Sequence, residues 1–219
     1  MTSSVTSKPK WLVPTALIML SAIPVIAGAL RVADLTVGTK TMPEATRFAA
    51  MPVPVLLHIV GASLFCVLGA FQFVPKLRRR PWHRVAGRIL VPCGLAAALS
   101  GVWMTLFLSH PVGDSALLTV FRLGFGSAMA VAIVLSFTAI RRRDIARHRA
   151  WMVRAYAIGQ GAGSQAVILT TWTVLVGAPG PLANALLMGA AWSINLAVAE
   201  RLLRAPIRST PKARVRETR

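Results

Sequence analysis

Long apolar stretches, each close to the length that a membrane-crossing helix needs, dominate this sequence. Six of them occur, at Trp11–Leu30, Pro52–Val74, Val85–Leu108, Leu117–Ile140, Met152–Val176 and Pro181–Glu200. A helix of about 20 apolar residues crosses a hydrocarbon core ~30 Å thick. The chain is 55% hydrophobic and only 14% of its residues are charged, and a soluble domain could not bury that much apolar surface. The pattern predicts an all-helical polytopic membrane protein with six spans.

The charged residues are distributed unequally between alternate loops. The formal net charge is +19, from 25 Lys and Arg against 6 Asp and Glu, and nearly all cations lie before residue 11, in loops 75–84 and 141–151, and after Glu200. Cytoplasmic loops of membrane proteins carry an excess of Lys and Arg. The pattern therefore predicts that both termini are cytoplasmic. It also accounts for the basic charge without a nucleic-acid partner, which the same charge would suggest in a soluble protein.

The predicted organisation is one six-helix transmembrane domain over residues 11–204. A cytoplasmic segment, residues 1–10, precedes it, and a basic tail, residues 205–219, follows it. The tail is rich in arginine and poor in large apolar residues, which favours disorder or contact with anionic headgroups. One alternative concerns the first span, because Lys8 and Lys10, an apolar run and Ala27-Gly28-Ala29 also resemble a cleavable signal peptide.

Two segments of the chain are similar to each other. LHIVGASLFCVLGAFQF begins at Leu57 and FRLGFGSAMAVAIVLSF begins at Phe121, without gaps and at an offset of 64 residues. Each segment is followed by three arginines, a His-Arg pair and a further span. This order predicts a duplicated helical hairpin, formed by spans two and three and by spans four and five, around a pseudo-two-fold axis along the membrane normal.

Several polar residues lie inside the apolar spans, where polar groups are costly and often functional. Gln160 and Gln165 on the fifth span could line a polar interior. The natural partner of Glu200 would be Arg201, Arg204 or an arginine from one of the two arginine-rich loops.

Two of the polar residues, His58 and Arg122, form one candidate pair. His58 lies roughly 9 Å deep, from ~1.5 Å per residue, and Arg122 is its equivalent in the duplication. Hairpins packed face to face would bring both into one pocket, where Arg122 disfavours a protonated His58. A neutral imidazole suits a metal, a haem or a quinone. In the alternative, Arg122 extends to the headgroups and His58 bonds a neighbouring helix.

A second candidate pair, His83 and His148, begins the two spans that follow the arginine clusters. Haem b between helices needs two axial ligands at one depth, and these two histidines meet that condition on the cytoplasmic side. His58 has only His110, in a loop, for such a pairing, which is geometrically poor. A simpler interpretation is that Arg84 and Arg149 bind lipid phosphates, or that the His-Arg pairs cap helix starts.

The sequence lacks the motifs that are typical of several kinds of enzyme and transporter chemistry. The chain contains no HExxH, CxxC or P-loop motif, no serine in a nucleophile-elbow context and no pair of intramembrane carboxylates. No catalytic or metal-ligating residue is therefore predicted. A proton- or sodium-coupled transporter is hard to build from these residues.

Polar positions in two segments carry a resemblance to a known family. The phrases LHIVGASLFCVLGAFQFVPKLRRRPWHRVAGRIL and IRRRDIARHRAWMVRAYAI resemble a family of bacterial predicted membrane proteins, domain of unknown function 2306. His58, His83 and His148 match the family's histidines, whereas Arg122 and His110 are not among the matched positions. The resemblance covers roughly residues 52–160. It implies a multi-pass membrane protein and carries no established activity. The expected location is the bacterial inner membrane.

The sequence thus leaves three functions open. The first is a protein without catalysis that binds lipid, a hydrophobic small molecule or a partner subunit, with a homo-oligomer as one form of the last. The second is a redox module that holds haem b or quinone through histidines. The third is a small transporter, which requires a polar cavity between the hairpins.

Overall fold

A computed structural model describes residues 11–39, 43–78, 80–109 and 114–205. Over this part of the chain the secondary structure is all-helical, as predicted. The helices are α1 (Leu12–Val37), α2 (Ala45–Ala50), α3 (Pro52–Phe71), α4 (Pro75–Arg78), α5 (Pro81–Phe107), α6 (Ala116–Arg141), α7 (Ile145–Gly159), α8 (Gly161–Leu175) and α9 (Pro181–Arg204). The predicted N-terminal segment, nearly all of the basic tail and His110 lie outside the described residues.

Five helices are long and apolar enough to cross a membrane, namely α1, α3, α5, α6 and α9. They coincide with five of the predicted spans. The largest difference is at α1, which continues beyond Leu30 to Val37. Its last turns carry Arg31 and Asp34, an i,i+3 pair 3.8 Å apart. The helix ends at Gly38, whose φ of 76° is the left-handed geometry of many helix C-termini.

The fifth apolar stretch differs from the single helix expected over Met152–Val176. It forms α7 and α8, which are separated at Gln160. Glycines flank the interruption, and glycine weakens a helix. The indole of Trp192 in α9 occupies the place that a Cβ on Gly161 would take. Close packing of α9 on α8 therefore requires glycine at the point where the helix is interrupted.

The helices pack as two neighbouring hairpins with a further helix beside each. One hairpin is α3 with α5, and the other is α6 with α7, while α5 and α6 join the two. Helix α1 packs against α3 and α8, and α9 packs against α6, α7 and α8. The buried core lies between the hairpins and includes Phe65, Met129, Ile133, Tyr156 and Ile158.

The two arginine-rich connections have different local structures. The connection from α3 to α5 contains the short helix α4, and α5 begins with Pro81 in its first turn. The connection from α6 to α7 is a tight turn in which Arg143 has φ 61°. Asp144 then caps α7 by accepting a hydrogen bond from the backbone N–H of Arg147 at 2.9 Å. We call the end of the bundle with these two connections the arginine-rich end.

An ion pair joins α7 to α9 close to the arginine-rich end. Arg154 donates two hydrogen bonds to the carboxylate of Glu200, at 2.5 and 3.1 Å, and its guanidinium lies 4.9 Å from the ring centroid of Trp151. The sequence suggested Arg201, Arg204 or an arginine of either arginine-rich loop as the partner of Glu200, and that expectation is corrected. Arg154 is the partner because α7 and α9 pack side by side.

Candidate functional site

A cavity of about 320 Å³ lies between the two hairpins. It lies toward the end of the bundle opposite the arginine-rich end, with α2 at its rim. His58 of α3 and Arg122 of α6 both line it, together with residues of α5, α7, α8 and α9. The structure thus places the two intramembrane polar residues that the sequence singled out in one shared space. We call it the His58 cavity.

The ring of His58 is held in one orientation by the backbone of α5. Its Nδ1 lies 2.8 Å from the carbonyl oxygen of Ala97. A carbonyl oxygen can only accept a hydrogen bond, so Nδ1 carries the hydrogen. In a neutral imidazole the other nitrogen, Nε2, then has a lone pair, and no described residue donates to it. Such an arrangement presents Nε2 as an acceptor or a ligand atom.

Two further residues of α5 fix this geometry. The hydroxyl of Ser100 donates to the carbonyl of Ala96 at 2.5 Å, so its hydrogen is engaged by the helix, and its oxygen lies 3.4 Å from Nδ1 of His58. A Cβ on Gly101 would come within 3.2 Å of Cε1 and 3.3 Å of Nδ1 of His58. The absence of a side chain at Gly101 therefore makes room for the imidazole against the helix.

Two arginines line the His58 cavity, and each has an acidic partner. Arg122 donates to Asp114 at 2.6 Å, and Arg47 of α2 donates to Glu44 at 2.7 Å. Each carboxylate engages part of a guanidinium that has five N–H donors. The Nε of Arg47 is buried and has no hydrogen-bond partner among the described residues. The cavity therefore has donors to offer but little unbalanced charge.

The remainder of the cavity lining is mostly apolar. Its walls are formed by Phe65, Met129, Trp192 and small residues of α3, α5, α6 and α7. Gln165 of α8 adds a buried amide, whose Nε2 is 3.4 Å from the carbonyl of Met188. Among the described lining residues there is no aspartate or glutamate. A few polar groups in a largely apolar pocket are typical of small-molecule sites.

The interruption between α7 and α8 borders this cavity, since Ile158, Gly159 and Ala162 line it. Side chains satisfy backbone carbonyls there. Asn195 donates to the carbonyl of Ala157 at 3.1 Å, and the thiol of Cys66 donates to that of Gly159 at 3.3 Å. In lipid, backbone groups that leave a helix need such partners.

A chain of buried hydrogen bonds holds the same interruption to α1 and α3. Ser21 donates to Oε1 of Gln160 at 3.0 Å, and Nε2 of Gln160 donates to the hydroxyl of Tyr156 at 2.7 Å. That hydroxyl in turn donates to the carbonyl of Cys66 at 2.7 Å. Gln160 and Gln165 were both expected to line a polar interior. Gln165 lines the cavity, whereas Gln160 is part of this network.

The second predicted pair, His83 and His148, does not line the His58 cavity. Both side chains are half-buried near the arginine-rich end. They lie on α5 and α7, which both pack against α6. Helix α5 also packs against α3, whereas α7 also packs against α9. Nδ1 of His148 is 3.0 Å from the carbonyl of Ser136 in α6. His148 therefore joins α6 to α7 across the second arginine-rich connection.

The two arginines that follow these histidines are exposed. Arg84 and Arg149 both lie on the surface of the arginine-rich end. Among the described residues, no group of three or more His, Cys, Asp or Glu side chains is placed to hold a metal ion.

A comparison with protein-family profiles identifies the family of this sequence. The profile described as Predicted membrane protein (DUF2306) matches residues 55–203, which is more than half of the chain. The chain belongs to this family. The family region includes the whole of α5–α8 and the residues His58, Arg122, His83 and His148, while α1 and α2 precede it. No curated protein and no solved structure gave a significant match.

Several residues of the site were not predicted from the sequence. Arg47 is a cation between two apolar stretches, and nothing in the order of residues indicated that α2 would place it at the cavity beside Arg122. Gly101 and Ala97 were hidden among the small residues of an apolar span. One signal was available for Tyr156, the single tyrosine of the chain, which lies in the family motif and inside an apolar segment.

Proposed function

We propose that this DUF2306 protein binds an amphiphilic small molecule in the His58 cavity, without catalysing a reaction. The polar end of the ligand lies near His58 and Arg122, and its apolar part fills the space toward Phe65 and Trp192. The observation that carries this proposal is the cavity itself. It is about 320 Å³, lies within the size range of ligand pockets and has a mostly apolar lining with a few polar groups.

We further propose that the chain crosses the bacterial inner membrane six times, with α7 and α8 together forming one span. Each of these two helices has 15 residues, about 22 Å at ~1.5 Å per residue, so neither crosses the hydrocarbon core alone. Together they are long enough. The exposed arginines of the arginine-rich end support its placement in the cytoplasm, and with it the placement of both termini.

The duplicated hairpin is part of the same proposal. Pairs of residues at the offset of 64 line the cavity from opposite sides: His58 with Arg122, Ala62 with Gly126, and Phe65 with Met129. Their spacing of four and seven residues is that of one helix face. Equivalent faces of α3 and α6 thus meet at the cavity, which supports two related hairpins around one axis.

Contact with anionic lipid headgroups is proposed for the arginine-rich end. Arg84 and Arg149 are exposed there, as are Arg141 and Arg142. Each cation near an anionic surface contributes about 1 kcal/mol of attraction. Association with a second copy or with a partner subunit remains a further proposal.

A cavity-filling variant tests the proposed function. In Ala62→Phe the new ring would occupy space at the wall of the cavity, because Ala62 lines it. In the matched control, Ala128→Phe, the ring projects from an exposed position on α6. Native mass spectrometry of protein from the membrane should show a bound small molecule in the wild type and in Ala128→Phe, and reduced occupancy in Ala62→Phe. Equal occupancy in the two variants, or an empty wild type, would contradict the proposal.

A redox module that holds haem b or quinone is the alternative function. Its support is the fixed orientation of His58, which leaves Nε2 as an acceptor or a ligand atom. The visible spectrum of protein from a haem-sufficient host separates the cases. A Soret band lost in His58→Ala would favour haem at the cavity, and one lost only when His83 and His148 are both replaced by alanine would favour the other pair. No band would remove haem from consideration.

A small transporter is the second alternative, since it requires a polar space between the hairpins. The position of the His58 cavity agrees with that requirement. Its described lining lacks a carboxylate that could carry a coupling ion. Uptake assays with proteoliposomes, in the absence of an ion gradient, would test facilitated movement of a ligand once one is identified.

A further inference from the structure

We infer that the ligand of the His58 cavity is uncharged and donates a hydroxyl hydrogen to Nε2 of His58, as a long-chain phenol or quinol would. The inference rests on the proposed function and specifies the chemical class of its ligand. Three features of the cavity carry it: the hydrogen-bonding state of His58, the charge balance of the arginines and the character of the apolar walls.

The hydrogen-bonding state of His58 determines what its free nitrogen can accept. The carbonyl of Ala97 takes the Nδ1 hydrogen at 2.8 Å, and the hydroxyl hydrogen of Ser100 is directed to Ala96. An imidazolium would carry hydrogens on both nitrogens, but no described lining residue is acidic and could pair with that charge. A charge without a partner is costly inside a membrane. Neutral His58 therefore presents a lone pair at Nε2, and the complementary ligand group is an O–H or N–H donor.

The charge balance of the cavity disfavours an anionic ligand. Arg122 pairs with Asp114 at 2.6 Å, and Arg47 pairs with Glu44 at 2.7 Å. A carboxylate or phosphate headgroup would have to compete with these acids for the guanidinium groups. It would also face the Nε2 lone pair of His58, which repels an anion. A hydroxyl group avoids both costs, because its hydrogen reaches Nε2 and its oxygen can still accept from an N–H of the arginines.

The walls of the cavity suit a ring with an apolar chain. The ring of Phe65 and the indole of Trp192 line the cavity with the thioether of Met129, and Trp192 stacks on Phe125 with centroids 4.9 Å apart. Aromatic groups and methionine sulfur make favourable contacts with a further aromatic ring. A phenol or quinol presents such a ring directly behind its hydroxyl group.

Three matched probes test this inference: a 4-alkylphenol, its methyl ether and a fatty carboxylate of the same chain length. Their binding is measured by calorimetry with the full-length protein in phosphatidylcholine nanodiscs, after subtraction of empty nanodiscs. The ether keeps the ring and chain but has no hydroxyl hydrogen. We expect the phenol to bind the wild type about tenfold more tightly than the ether, equivalent to ~1.4 kcal/mol, and the carboxylate to bind least.

The variant His58→Asn removes the acceptor at the position of Nε2 and keeps a donor for α5. The asparagine amide can donate to the carbonyl of Ala97 as Nδ1 does, but it has no group at the position of Nε2. We expect the phenol and the ether to bind His58→Asn equally, and the preference for the phenol to persist in His148→Ala, which lies outside the cavity. An ether that binds the wild type as well as the phenol, a carboxylate that binds most tightly, or a preference that survives in His58→Asn would overturn the inference alone. If no probe binds the wild type, the inference and the proposed function both fail.

Discussion

At the scale of single residues, the site depends on how α5 receives the ring of His58. An intramembrane histidine has many available rotamers and two neutral tautomers. The carbonyl of Ala97 selects one tautomer, and the missing side chain of Gly101 allows the ring to lie against the helix. The chemical character of the cavity is therefore determined by backbone atoms of a neighbouring helix as much as by His58.

The variant Gly101→Ala tests whether the backbone of α5 orients the ring of His58. Its Cβ would lie 3.2 Å from Cε1 of His58, so the imidazole must shift by a few tenths of an ångström and its bond to Ala97 weakens. We expect the affinity for the bound ligand to fall several-fold, on the order of 1 kcal/mol, with the fold retained. Gly124→Ala is the control, because a Cβ there meets nothing within 4 Å. Calorimetry in nanodiscs measures both variants, and equal losses would contradict the role of Gly101.

Sequence reasoning identified His58 and Arg122 because polar residues inside apolar spans are conspicuous. Their offset of 64 residues also predicted that they would share a pocket. Sequence reasoning could not identify Arg47, because its position depends on the short helix α2. It also could not identify Glu44 and Asp114 as the acidic partners of the two arginines. Each acid is close in sequence to its arginine, three and eight residues away. Whether such a pair reaches the cavity depends on how the loops fold over the bundle rather than on any local pattern.

At the scale of elements, the interruption between α7 and α8 is the main departure from the expected architecture. Hydropathy predicts one continuous span, since it averages over residues and is insensitive to a local interruption of the helical hydrogen bonds at one position. The interruption is instead specified by tertiary contacts. Trp192 packs at Gly161, Cys66 and Asn195 bond the carbonyls, and Gln160 is held between Ser21 and Tyr156.

The variant Tyr156→Phe tests the energetic weight of this network. It keeps the ring in the core but leaves Nε2 of Gln160 and the carbonyl of Cys66 without the hydroxyl that bonds both. A buried polar group without a partner costs about 1–3 kcal/mol, so we expect a clear loss of thermal stability in detergent. In the control, Ser193→Ala, an exposed hydroxyl that bonds its own helix is removed, and the expected change is below ~0.5 kcal/mol. Similar melting temperatures for the two variants would show that the network contributes little.

At the scale of the whole molecule, the order of apolar stretches predicted six spans, and the described helices agree with five of them. The sixth depends on whether α7 and α8 cross the membrane together. Charge distribution favours crossing, because the arginines of the α6–α7 connection and the uncharged connection from α8 to α9 would then face opposite sides.

Cysteine labelling tests whether α7 and α8 cross the membrane together. In a background of Cys66→Ser and Cys93→Ala, single cysteines are placed at Ala178, between α8 and α9, and at Arg142, between α6 and α7, both of which are exposed. Six spans with cytoplasmic termini put Ala178→Cys on the periplasmic side and Arg142→Cys on the cytoplasmic side. A membrane-impermeant maleimide should therefore label Ala178→Cys in intact spheroplasts, and Arg142→Cys only after permeabilisation. If both positions react from the same side, α7 and α8 do not cross together, and the equivalence of the two hairpins fails with them.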